Sequence, residues 1–176
     1  MQNRVGSYAE LKSVLFHHPM RVAGILAKNT KKPSCNLICT ALLHNFLEKK
    51  IMKKKEIELL ASRSVANNVA FLSKFKKTFS ENKLKTLYMK ISRKRDCALV
   101  KVADKLDNLF MLCFNPDKLE RNRYLKEIES MVMPLALKCS PPIYMSVFLA
   151  VREQEKIGYL DKLLELKKAV RNPNEN

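Results

Sequence analysis

The stretch Arg93 to Cys113, RKRDCALVKVADKLDNLFMLC, decides the fold class. Ala98, Leu99, Val102, Ala103, Leu106, Leu109 and Leu112 recur at helical intervals and form one stripe of a long helix. Asn115-Pro116-Asp117 ends it. The same period continues on both sides. Lys53 to Ala61, Ser64 to Phe75 and Lys83 to Ser92 read as helices. Before them, Leu37, Ile38, Ala41, Leu42 and Phe46 follow one face of a helix that restarts at Pro33-Ser34, with Ser34 as its N-cap, after a break over Asn29 to Lys32. His44 falls in the middle or late part of that helix. Pro19 fits the first turn of a helix through Val22, Ile25 and Leu26, where a missing N–H costs little. After the long helix, Leu119 to Lys138 is helical and interrupted or kinked near Pro134, and Ser140-Pro141-Pro142 is a break. Ile143 to Lys156 and Tyr159 to Val170 are two more helices. The expectation is an all-α protein, an irregular bundle of about eight or nine helices. Residues 1–170 form one domain and 171–176 a polar tail.

A chain of 176 residues with 47% apolar side chains can bury a core, which excludes a disordered protein. No apolar run reaches the roughly 18 to 20 residues of a membrane span. The opening MQNRVGSYAELK lacks the apolar centre of a secretory signal. The expectation is a soluble, cytoplasmic protein with no membrane partner. The five cysteines, Cys35, Cys39, Cys97, Cys113 and Cys139, contain no CxxC pair and read as reduced, mostly buried small apolar residues. Net charge is +17, which points to an anionic partner, a nucleotide or a nucleic acid. Lysine greatly outnumbers arginine and is spread along the chain, a pattern that solvated helix faces also produce. No RGG tract, zinc-finger spacing or aromatic RNA-binding motif is present, so specific nucleic-acid recognition is not favoured, although RNA stays open as a partner of the basic surface.

The scarce ligand-type residues cluster. They fall in HHPMRVAGIL (His17 to Leu26), TALLHNFLEKK (Thr40 to Lys50) and KVADKLDNL (Lys101 to Leu109). Three helices of a bundle can bring His18, His44 and Asp104 to one interior point, and imidazole with carboxylate suits a hydrolytic divalent cation. Spacing alone is a weak argument. A histidine on an apolar helix is more often a satisfied core residue, Asp104 shares a helix face with Lys101, Glu48 sits in a lysine-rich turn, and His17 reads as exposed.

HPMRVAGIL, ALLHN and KVADKLDNL, in this order and at this separation, resemble the HD-type hydrolase domain of the RelA/SpoT alarmone enzymes and their small stand-alone relatives. The resemblance runs from His18 to Ala136 and takes in the NPDK turn and the MPLA stretch. It implies an all-α HD fold, a bound manganese ion and hydrolysis of the 3′-pyrophosphate of (p)ppGpp. It matches His18 and His44 to the metal histidines, Asp104 to the last metal carboxylate, and Asn108 to an asparagine that touches the nucleotide. It matches Glu48 to the first of two acidic residues that position or activate the attacking water. Arg21 and Lys101 are further candidates to hold the nucleotide.

Several positions depart from the family pattern. Asn45 replaces the metal-ligating aspartate, so a fourth ligand there would bring an amide oxygen without charge. Lys49 replaces the second acidic residue, and Phe110 stands where the family often has arginine. The segment before His18, SYAELKSVLFH, lacks the RKSG-like loop that grips the base. The expectation is a hydrolase with weak or absent activity. The alternative is a pseudo-hydrolase that binds a nucleotide, a protein or RNA as a scaffold. About 40 residues follow the HD-like region, too few for a nucleotide-transfer domain.

Overall fold

The long apolar stripe becomes the axis of the molecule. A computed structural model describes residues 5–74, 80–115 and 117–156, with their side chains except at 5–16, 114, 155 and 156. Among the described residues there are nine α-helices: α1 (Val5–Asn29), α2 (Cys35–Leu43), α3 (Lys54–Leu60), α4 (Arg63–Leu72), α5 (Glu81–Ile91), α6 (Arg95–Met111), α7 (Lys118–Glu127), α8 (Met133–Cys139) and α9 (Pro141–Lys156). They contain no strand. The expected helix Tyr159 to Val170 and the tail lie outside the described residues.

All seven stripe residues are buried, and Cys97 and Val100 join them, so α6 is enclosed on more than one side. It packs against α1, α2, α4, α5, α8 and α9. Val22 and Leu26 of α1, Leu37 and Ala41 of α2, Ile91 of α5, Leu135 of α8, and Ile143 and Val147 of α9 close the main core around it. A smaller core of Leu43, Phe46, Ile57, Val65, Ala66 and Val69 ties the end of α2 to α3 and α4. Burial of this kind, at roughly 25 cal/mol per Å² of apolar surface, is the main force holding three site-bearing helices together.

Several local expectations change. Pro19 lies inside α1 rather than in its first turn. Its ring removes one backbone hydrogen bond, yet the buried Val22, Ala23 and Leu26 just beyond it anchor the helix against α6, and packing outweighs the local rule. Of the middle and late positions expected for His44, the structure gives the late one: it is the C-cap of α2. The chain beyond it makes tight turns, with Lys49 N–H donating to the Asn45 carbonyl at 2.9 Å and Lys50 in the left-handed region at φ 56°. The expected break narrows to Ser140, which is extended between α8 and α9, and Pro141 already opens α9, because proline is tolerated where the first N–H has no helical partner. The expected kink near Pro134 is a π-helical turn, Ile128–Val132, in which Met133 N–H reaches back to the Ile128 carbonyl. The cysteines are free as expected, but only Cys97 is buried, and Cys35 is exposed.

Candidate metal centre

His18 projects from α1, His44 caps α2 and Asp104 lies on α6, and these elements meet where α1 and α2 cross α6. One ligand atom from each lies within 4.8 Å of the others. His18 Nε2 is 3.1 Å from Asp104 Oδ1 and 3.3 Å from His44 Nε2, and His44 Nε2 is 3.7 Å from Asp104 Oδ1. Bonds of about 2.0–2.2 Å to a divalent cation would separate neighbouring donors by roughly 3.0–3.6 Å. Two sides of the triangle fall in this range and the third, 3.7 Å, lies at its edge, so the donors are spaced for such an ion.

The hydrogen bonds behind the donors fix the chemistry. His44 Nδ1 donates to the Ala41 carbonyl at 2.6 Å, and His18 Nδ1 donates to Asp107 Oδ2 at 2.6 Å. Each neutral imidazole thus carries its proton on Nδ1 and turns the Nε2 lone pair inward. Two lone pairs and a carboxylate oxygen then face one another without a hydrogen to share. A cation resolves this, either a metal ion or a proton. The proton's pull is visible in the electrostatics. Burial lowers the His18 imidazolium, but hydrogen bonds to Asp104 and Asp107 outweigh it and raise His18 above its ordinary value. Burial likewise pushes the Asp104 carboxyl up, while Lys101 and the two imidazoles outweigh this and hold it well below the usual carboxylate range.

The donors open into a cavity of about 630 Å³. The candidate ligand, water-positioning and nucleotide-binding residues line it: His18, Arg21, His44, Asn45, Glu48, Lys101, Asp104 and Asn108. The turns after α2, not a helix face, carry Asn45, Glu48 and Lys49 to its wall. Asn45 and Glu48 are half-buried and Lys49 is exposed. Asn108 Nδ2 donates to Asp104 Oδ1 at 3.0 Å, and Lys101 Nζ donates to Asp104 Oδ2 at 3.0 Å. Arg21 is already engaged, its Nε and Nη2 donating to Asp107 at 2.7 and 3.0 Å. His17 is exposed as expected, and Phe110 also faces solvent.

The sequence reading passed over a second polar cluster on the same wall. Lys105 Nζ donates to Glu127 Oε2 at 2.8 Å and sits 4.4 Å from the centre of the Tyr124 ring, and Tyr88 donates to Glu127 Oε1 at 2.7 Å. Burial lowers the Lys105 ammonium, the Lys101 charge lowers it further, and Glu127 offsets part of this. Lys105 follows Lys101 by one helical turn, a spacing that could have flagged it. Nothing local in the sequence connects α6 to Glu127. Arg21, Lys49, Lys101 and Lys105 line the cavity together with Glu48, Asp104 and Glu127, so it carries both signs of charge and can receive a phosphate beside a cation.

No protein-family model and no curated protein matches this sequence. A solved structure does. It belongs to a protein described as a metazoan orthologue of SpoT that hydrolyses ppGpp and plays a role in starvation responses. The likeness has a TM-score of 0.66 at 22% identity and covers 79% of this chain and 80% of that one. The fold is that of a SpoT-like ppGpp hydrolase. The expectation of an all-helical HD-type fold is therefore met, and the His18, His44 and Asp104 cluster is compatible with a divalent metal. No helix among the described residues is long and apolar enough to cross a membrane.

Proposed function

We propose that this chain is a metal-dependent pyrophosphohydrolase of (p)ppGpp or a closely related anionic nucleotide, working with a weakened metal site. The observation that carries the reading is the convergence of two inward-facing Nε2 lone pairs on Asp104 Oδ1, at cation-binding separations. His18, His44 and Asp104 would hold the ion, manganese by the family resemblance, with the Asn45 amide oxygen as a weak fourth ligand. A bound divalent cation supplies positive charge to a phosphate oxygen and lowers the pKa of a water. Glu48 would orient the attacking water and accept its proton as the water oxygen bonds to phosphorus and the P–O3′ bond breaks, releasing pyrophosphate while the freed 3′-oxygen takes a proton from solvent. Asn108 and Lys101 hold the nucleotide beside Asp104, and Lys49 and Arg21 add positive charge at the cavity wall.

A second reading has one specific support. Lys101 already neutralises Asp104 at 3.0 Å, and Lys49 stands on the wall where the family carries an acid. These cations oppose a metal ion and favour a protein that binds the nucleotide, or RNA or another protein, without hydrolysis. The variant Asn45→Asp separates the two readings. Restoring the carboxylate should tighten Mn²⁺ binding by about tenfold or more, since ligand charge sets affinity, and should raise (p)ppGpp hydrolysis. Calorimetry with Mn²⁺ and release of pyrophosphate are the readouts. If neither the natural protein nor the variant binds Mn²⁺ or releases pyrophosphate, the hydrolase reading fails. Tighter metal binding without hydrolysis selects the non-hydrolysing reading.

A further inference from the structure

His18 is held at Nδ1, and the group behind it there is a carboxylate. Asp107 Oδ2 accepts from His18 Nδ1 at 2.6 Å, and the same carboxylate takes Arg21 Nε at 2.7 Å and Nη2 at 3.0 Å. The four residues form two ranks. His18 and Arg21 lie about one turn apart on α1, and Asp104 and Asp107 lie about one turn apart on α6, so the two helices face each other through two carboxylates. Asp107 is only 3% exposed, whereas the Arg21 side chain is 49% exposed and lines the cavity.

We propose that Asp107 and Arg21 form a positioning pair that sets the donor strength of His18 toward a divalent cation, Asp107 raising it and Arg21 moderating it. The inference rests on the reading that this site holds such an ion. A carboxylate that accepts Nδ1–H fixes the tautomer, stops the ring from turning, and increases electron density at Nε2. It thereby supplies, at one remove, part of the negative charge that Asn45 does not bring. Burial makes that charge costly unless it is paired, and the bidentate Arg21 guanidinium pairs it. Arg21 also draws the Asp107 charge away from the imidazole. The two side chains therefore act on His18 with opposite sign.

The opposite signs distinguish this role from simple bracing of α1 against α6. Mn²⁺ alone is titrated calorimetrically at pH 8 into the natural protein, Asp107→Asn and Arg21→Gln, each first stripped with chelator. Thermal stability of each stripped protein is measured alongside. Asp107→Asn keeps an oxygen acceptor for Nδ1–H and loses the charge, so Mn²⁺ affinity should fall by about 10- to 100-fold. Arg21→Gln keeps a donor to Asp107 and loses the moderating charge, so affinity should rise, by up to roughly tenfold. A bracing role would instead lower stability and affinity together in both variants. Shifts in the same direction, or no shift in either, overturn the inference and leave the metal site standing. Absence of Mn²⁺ binding in the natural protein overturns both. If Asp107→Asn does not fold, the direction of the Arg21→Gln shift decides alone: tighter sustains the inference and looser overturns it.

Discussion

Between His18, His44 and Asp104 a proton and a metal ion compete for one position, and this gives the site a testable pH signature. In the metal-free protein, burial works against the His18 proton, but Asp104 and Asp107 hold it more tightly than the unfolded chain does. That stabilisation is fully present below the ordinary histidine value of 6.5 and is lost as pH rises through the higher folded value. Asp104 has the opposite sign. Its carboxyl is held below the ordinary 3.8, so its contribution is present above that value and disappears as pH falls through the lower folded one. Chelator-treated protein should therefore lose thermal stability as pH rises from 6.5, and His18→Gln should flatten that slope. With Mn²⁺ present the trend should reverse, because ligand deprotonation favours the metal. Thermal melts across this range check it, and a metal-free slope unchanged by His18→Gln would remove the shared-proton account. At this scale the sequence showed His18, His44 and Asp104 as residue types suited to one site. It did not show that Asp107 stands behind His18, because that contact joins residues 89 apart.

Helix α2 shows how local signals place a functional group. Ser34 Oγ accepts from Leu37 N–H at 3.1 Å, which starts the helix where the sequence marks an N-cap. Ten residues after Ser34 the helix delivers His44, whose Nδ1 turns back to the Ala41 carbonyl. Ser34→Ala leaves that first-turn N–H without its side-chain acceptor and should cost about 1 kcal/mol. For a chain of this length that is a fall in Tm of about 2–4 °C. Calorimetric melts check it, and an unchanged Tm would mean that water replaces the cap fully. The helix ends were less legible than their cores. Pro141 obeys the local rule for a helix start, whereas Pro19 sits inside α1 where packing outweighs that rule, and the Pro134 kink is absorbed by a π turn that sequence periodicity cannot distinguish from an interruption.

At the scale of the whole molecule, the net charge of +17 suits both the nucleotide and the RNA readings, and salt dependence separates them. A single alarmone engages few phosphates, whereas an RNA duplex or strand engages many. Binding that neutralises 6–10 phosphates loses about 10³–10⁵ in affinity between 50 and 200 mM salt. We expect (p)ppGpp binding to decline by about tenfold or less over that range, since few counterions are released, and RNA binding to collapse. Titrations of both ligands at the two salt concentrations check this, and RNA affinity that survived at the higher salt would favour the scaffold reading. The sequence by itself determined the helical class, because apolar periodicity states which face of each segment is buried. It also determined the chemistry on offer, through the residue types in three short motifs. Only the tertiary structure decided that His18, His44 and Asp104 meet within 4.8 Å, that Asp107 and Arg21 stand behind His18, and that Glu127 closes on Lys105 and Tyr88. Periodicity fixes which side of a helix is buried but not which helix will lie against it, and these contacts depend on how α1, α2, α5 and the end of α7 pack around α6.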